Sequence, residues 1–430
     1  MELRNISFIF YFILIIGSIP NSSGESLLKF QKAKTTRGNM ENNDSKNFRE
    51  LQGYDTYITL YFKEDCNYPS GFANNFRNGI SSVKNTQDGS TYDSYQFLPI
   101  YKDYAIEIHF GQKVTDLNYF FSNNNDGNMV YLVSIDFSNF DPSSLSNIDG
   151  IFYGCSSLQY IDFTNFYTTS ATSMSSMFEG CSSLESIDLS YFQTSSVTSM
   201  SSMFSGCTSL KSIYLKTFDT SNLIYMNSMF YNCISLTSID MSYSDISKVT
   251  EMQEMFYGCS SLREINLSNM KASSLNYIYN IFYGCNSLES LYLSYFDASS
   301  LYSLTDMFSG FNSLKYVDLT YFNAPLITSI GGMFNGYSSL ETIYLSYFNA
   351  PLLNDMNSLF YGCSSSNYID LTFFDTFLVT NMNSMFYGCI SLYNIDLSYL
   401  DTSSVNSMDN MFYNCSSLSS IDISILILLQ

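Results

Sequence analysis

The sequence has no tryptophan, one histidine and 6 prolines among 430 residues. It is also poor in positive charge. Lys and Arg number 18 against 39 Asp and Glu, a formal charge of −21, and no basic residue follows Lys315. Nucleic acid phosphates repel such a chain, so that partner class is set aside. Only 13% of residues are charged, too few for a disordered polyelectrolyte. There is no Cys-x-x-Cys pair and only His109 as an imidazole, which argues against zinc. The abundant Ser and Thr therefore have no basic partner for nucleophilic catalysis. No nucleotide-binding motif is present, and no stretch after the N-terminus is apolar for the 20 or so residues a membrane helix needs.

What is present is apolar bulk: 46% hydrophobic residues, with 37 Tyr and 36 Phe, enough for a large core. The opening "MELRNISFIFYFILIIGSIPNSSGE" has Arg4 in a short basic region, an apolar run over Ile6–Ile16, and small or helix-breaking residues after it. That layout predicts a secretory signal peptide over 1–24. Residues 25–53 are polar and of mixed charge, and read as a flexible linker. Residues 54–131 alternate in "YDTYITLYF" and "DYAIEIHF", which predicts a β-rich N-terminal cap. His109, in the second of these, reads as structural. The net charge is −2 over 1–131 and −19 over 132–430. The acidity belongs to the second region.

That region repeats. Phe152, Phe178, Phe204 and so on to Phe412 recur every 26 residues, eleven copies without an insertion or deletion. A fixed period in this range marks a solenoid, because an insertion must leave a stack as a loop and none does. In "LESIDLSYF" (Leu184–Phe192) the apolar Leu184, Ile187 and Leu189 alternate with polar residues, as in a half-buried strand. In Val197–Cys207, Met200, Met203 and Phe204 fall at i, i+3, i+4, which predicts a short helix with Ser/Thr caps. The next residue is Gly154, Gly180, Gly206, Asn232 or Gly258 in successive copies, the residue types that adopt positive φ at a helix end. The expected fold is an α/β solenoid: strand-plus-short-helix units stacked so that strands form a parallel sheet over 132–430, with the β-rich cap before it.

Two columns carry chemistry. Cys155, Cys181, Cys207, Cys233, Cys259, Cys285, Cys363, Cys389 and Cys415 hold one repeat position, which Phe311 and Tyr337 fill in two copies. Aromatic replacement marks an apolar slot, so these read as free core thiols, an unexpected choice on an oxidising route. Asp136, Asp162, Asp188, Asp240, Asp318, Asp370, Asp396 and Asp422 share a strand position, interrupted by Tyr214, Tyr292, Tyr344 and Asn266. Stacked carboxylates read as a solvated acidic face, a calcium site between rungs, or a partner-binding strip. Catalytic residues should break a repeat, and these obey it, so the reading is no enzyme and no cofactor, with a glycan hydrolase as the weakest alternative.

The motif "L-x-x-I-D-L-S-x-F-D-T-S-x-V-x-x-M-x-x-M-F-x-G-C" strongly resembles the 26-residue repeat of the BspA-type leucine-rich repeat surface proteins, over Leu132–Ser424. The resemblance implies a leucine-rich-repeat solenoid, secreted or displayed on a cell surface, with adhesion as its role. The expected partner is an extracellular protein or glycan, bound on a concave sheet rich in Asp and Tyr. A passive structural or decoy surface protein is the rival. Ser366 stands in the position that carries Leu elsewhere, which predicts a weaker rung there.

Overall fold

A computed structural model describes residues 56–63, 66–67, 80–92, 99–100, 105–123, 128–305, 307–308, 310–419 and 421. The chain divides into two units, Met1–Asp55 and Thr56–Gln430. The predicted signal peptide and linker lie outside the described residues, as does Asp422.

The second unit opens with an antiparallel cap. Its strands are β1 (Thr56–Phe62), β2 (Cys66–Asn67), β3 (Ile80–Asn85), β4 (Thr91–Tyr92), β5 (Pro99–Ile100) and β6 (Ala105–Phe110), ordered β4-β3-β6-β1 with β2 and β5 as a separate pair. Ile58, Leu60, Ile106 and Ile108 are buried, as the alternation requires. β1 pairs with β6 on one side and, antiparallel, with the first repeat strand β7 (Leu132–Asp136) on the other. The first repeat strand thus has its edge covered by β1.

From β7 onward each 26-residue unit is one rung of a β-solenoid. β8 (Tyr160–Asp162) pairs parallel with β7. β9 (Ser238–Asp240), β10 (Glu264–Asn266), β11 (Ser290–Tyr292), β12 (Tyr316–Asp318), β13 (Thr342–Tyr344) and β14 (Tyr368–Asp370) form a six-stranded parallel sheet in chain order. Each strand buries its central Ile, Leu or Val and turns its flanking residues outward. Behind the sheet, Phe152, Phe178, Phe204, Phe230, Phe256 and Phe282 stack with ring centroids 5.3–5.7 Å apart.

The predicted short helices are absent. Among the described residues the only helix is a 3-10 turn, Asn128–Tyr131. The Met/Phe segment is instead a run of turns whose N–H groups reach the next rung. Met174, Ser176, Phe178 and Gly180 donate to the carbonyls of Ser199, Ser201, Met203 and Ser205 at 2.7–2.9 Å. An α-helix would need those same donors for i→i−4 bonds. It would also need right-handed φ throughout, yet Ser176 and Gly180 stand at φ 56° and 76°. A single short helix carries the full nucleation cost, whereas the turn column shares its bonds along the whole stack. The i, i+3, i+4 spacing was real, since Met200, Met203 and Phe204 are all buried. Consecutive turns satisfy that spacing as well as a helix does.

The inference about the Gly/Asn position holds at the level of backbone angle. Gly154, Gly180, Gly206, Asn232 and Gly258 have φ of 74°, 76°, 72°, 55° and 72°. They end a turn, not a helix.

Candidate functional site

The outward sheet face is ruled by two columns two residues apart, and the Asp column is one of them. Its residues first serve the backbone. The N–H two residues on donates to Oδ1 of Asp136, Asp162, Asp188, Asp240, Asp318, Asp370 and Asp396 at 2.8–3.0 Å. Each is an Asx turn that ends a strand. Asn266 makes the same bond from Ser268 at 3.1 Å. The aspartates recur because each strand must turn, which accounts for their obedience to the repeat.

Their charge is a second property of the same atoms. Asp162 is buried, while Asp188 and Asp396 are exposed and the others half-exposed. Burial raises the Asp240 carboxyl, but the Lys216 ammonium, 2.7 Å from Oδ2, and the bonds from Ser242 outweigh it and leave its pKa lowered. Hydrogen bonding from Ser398 lowers that of Asp396. Asp240 and Asp396 therefore stay ionised at neutral pH. Among the described residues no group of three or more His, Cys, Asp or Glu is placed to hold a metal ion.

Tyr214, 64% exposed, stands alone in its stretch of the column. Tyr292 and Tyr344 do not, because Tyr316 and Tyr368 in the neighbouring column fill the gaps between them. Ring centroids run Tyr292–Tyr316 5.1 Å, Tyr316–Tyr344 5.8 Å and Tyr344–Tyr368 5.5 Å. Four phenols thus zigzag across β11–β14, with Asp318 and Asp370 beside them. Burial, and then the neighbouring Asp318, Tyr344 and Tyr292, push the Tyr316 phenol up to about 12, so it remains a neutral donor. Reading one column hid this cluster. Residues i and i+2 share a face, and counting both columns would have found it.

A second aromatic ladder lies at the next corner. Tyr295, Tyr321, Tyr347, Phe373 and Tyr399 follow one another at 4.4–4.7 Å, all exposed. The opposite charges of Glu185–Lys211, Arg263–Glu289 and Glu289–Lys315 pair across rungs at 2.7, 3.3 and 2.9 Å. His109 stacks on Tyr57 and lies 3.2 Å from the buried Glu107 carboxylate on β6.

The thiol column is buried from Cys155 to Cys389 and half-exposed at Cys415, and none of the nine forms a disulfide. Each Sγ donates to the carbonyl of a Phe in the preceding rung. Cys181 reaches Phe152 at 3.2 Å, Cys207 reaches Phe178 at 3.1 Å, and Cys259 reaches Phe230 at 3.1 Å. The slot is therefore not simply apolar. Tyr337 supplies a donor there too, with its hydroxyl on the Phe308 carbonyl, while Phe311 fills the slot without one. Burial pushes the Cys259 and Cys363 thiols up to about 12.

Among solved structures, the chain is similar to that in the crystal structure of a TLR13–ssRNA13 complex, at 13% identity and a TM-score of 0.22 over 63% of this chain. It spans about half, 49%, of that structure's length. No curated protein matches its sequence. The family model described as "Mycoplasma protein of unknown function, DUF285" matches three times, over residues 115–238, 199–317 and 302–424. Together these matches span residues 115–424, well over half of the chain, and the chain belongs to that family.

Proposed function

We propose that this chain is a leucine-rich-repeat surface protein of the BspA type, secreted or displayed outside the cell, that binds an extracellular protein or glycan through its outer sheet face. The observation that carries the reading is the tyrosine zigzag Tyr292–Tyr316–Tyr344–Tyr368 flanked by Asp318 and Asp370. Tyrosines give a large contact area at low entropy cost, and stacked neighbours hold them already ordered. The aspartates beside them are fixed by their own turns, so their charge is presented without a further ordering penalty.

The test is a binding screen of the full chain against extracellular-matrix proteins and glycans at two salt concentrations. A saturable ligand that weakens with salt is expected, because exposed charges are screened. Asp318→Asn removes charge and keeps the turn, as Asn266 does natively. Asp318→Asn and Tyr344→Ser should each weaken binding about tenfold, equal to about 1.4 kcal/mol. A folded chain with no saturable ligand would favour the passive surface reading.

A further inference from the structure

The stack has one dislocation. Bridges link the turn column from Asn147 through Ser173, Ser199, Tyr225 and Glu251 to Tyr277, and resume at Ser329 with Asp355. The described residues of the rung between, around Ser303–Gly310, make none. Among the described residues, Ile278, Asn280 and Phe282 have no onward acceptor, whereas their counterparts Met252, Glu254 and Phe256 have one. The Phe308 N–H turns back to Leu304 at 3.3 Å. The Phe stack shifts with it: Phe311, not Phe308, packs on Phe282 at 5.6 Å, and Phe308 meets Phe334 edge-on. Phe311 and Tyr337 are the two residues that replace Cys in the thiol column. The break falls at the rung that places Phe311 in the thiol column.

The displaced rung leaves a cleft of about 220 Å³ against the rung below it. Leu304, Phe308, Met333 and Tyr337 give it apolar walls. Its polar side is set by the direction of the turn-column bonds. A peptide unit that accepts from the rung above donates to the rung below. Phe334 donates to Leu359, Phe360 to Met385 and Phe386 to Met411 in one unbroken line. Peptide dipoles aligned head to tail leave negative charge at the carbonyl end, as at a helix C-terminus. That end includes the carbonyls of Ser329, Met333 and Asn335. In the rungs of Ser199, Tyr225 and Tyr277 the equivalent carbonyls accept N–H bonds, whereas among the described residues none donates to these three. They are acceptors only, and no basic residue follows Lys315 to compete for them.

We propose that this cleft binds a primary ammonium on an aliphatic stem, as carried by a lysine side chain of a partner or by a free diamine. An ammonium has three donors and no acceptor, which matches a row of carbonyls. The stem matches the apolar walls. An anion would meet the wrong end of the array. A hard divalent ion would want carboxylates, and the Asp355 carboxylate nearby is already bonded by Ser329, Asn357 and Asn381.

The experiment is calorimetric titration of the full chain with 1,5-diaminopentane and with a lysine-containing peptide, with pentanol and acetate as controls. Two variants are compared with the parent. Thr305→Trp fills the mouth of the cleft from an exposed position. Phe311→Cys with Tyr337→Cys restores the thiol column. One saturable ammonium site is expected, weakened at least about tenfold in each folded variant and unchanged by Asp318→Asn and Tyr344→Ser. Binding of both probes would show that the amine alone suffices. Binding of the peptide alone would assign the site to a protein partner's lysine. No saturable binding of either probe overturns the proposal. So does binding that Thr305→Trp leaves intact while its thermal unfolding matches the parent's, since the amine would then sit on the acidic sheet face.

Discussion

At the scale of single residues, the thiol column shows how one side chain answers two demands. Each buried Cys fills a small apolar space and caps a Phe carbonyl with its S–H. Cys207→Ser keeps a small donor in the slot and should cost about 1 kcal/mol for its more polar hydroxyl. Cys207→Ala drops the donor as well and should cost about 2 kcal/mol. Urea unfolding of the two variants separates the terms, and equal costs would mean that the hydrogen bond contributes nothing. Burial also sets a pH limit. The Cys259 and Cys363 thiols are raised to about 12 in the folded chain. An unfolded thiol ionises near 8.5, so from there upward the unfolded state loses protons that the folded state keeps. Stability from these groups is complete below about pH 8.5 and is lost as pH rises toward 12. Thermal midpoints should fall steadily from about pH 9 upward. Within the column, thiol reagents at neutral pH should label Cys415 first, and a flat alkaline profile would contradict the burial argument.

At the scale of the element, a rung is specified by its turns more than by its strand. Gly362 stands at φ 71°, with the Gly336 Cα 3.7 Å from where its Cβ would lie. There is room for a methyl group there, but the backbone angle disfavours one. Gly362→Ala should lower stability by about 1–2 kcal/mol. Gly362→Asn should cost less, because Asn232 and Asn414 hold that angle natively at 55° and 59° and the following Gly388 leaves space for the amide. Equal losses in thermal melts would place the constraint in sterics instead. This element also shows where reading the sequence stopped. The Gly/Asn column announced a positive φ, and the strand alternation put Ile239, Ile265 and Ile343 inside. The second left-handed position holds Ser176, Ser202, Ser228 and Glu254, with glycine only at Gly150 and Gly332. Inter-rung bonds hold the serines and Glu254 in a conformation their own type disfavours. With so sparse a glycine signal, turns and a helix share one hydrophobic pattern. Ser366 is similar. A polar residue in a Leu slot suggests a weak rung, yet it is fully buried with its hydroxyl on the Leu340 carbonyl at 2.6 Å.

At the scale of the whole molecule, the dislocation divides the turn column while the sheet runs on. β11, β12 and β13 remain paired, Ser290 with Tyr316 and Tyr316 with Thr342. On the turn side, one bonded array ends at the Tyr277 rung and another begins at Ser329. In a solenoid each rung is held by its neighbours alone, so a missing set of inter-rung bonds weakens the stack locally. Opening should therefore begin at this plane and on this side. Amide hydrogen exchange of the full chain checks it. Ile278, Asn280, Phe282 and Leu304 should exchange fastest within the array, while Met200, Ser202 and Phe204 exchange near the global unfolding limit. Phe311→Cys with Tyr337→Cys should slow the first group by bringing Leu304 back within reach of Ser329. Uniform protection across residues 278–310 in the parent would mean that the two arrays are one. Slowing in the repaired variant would tie the break to the two aromatic side chains that interrupt the thiol column.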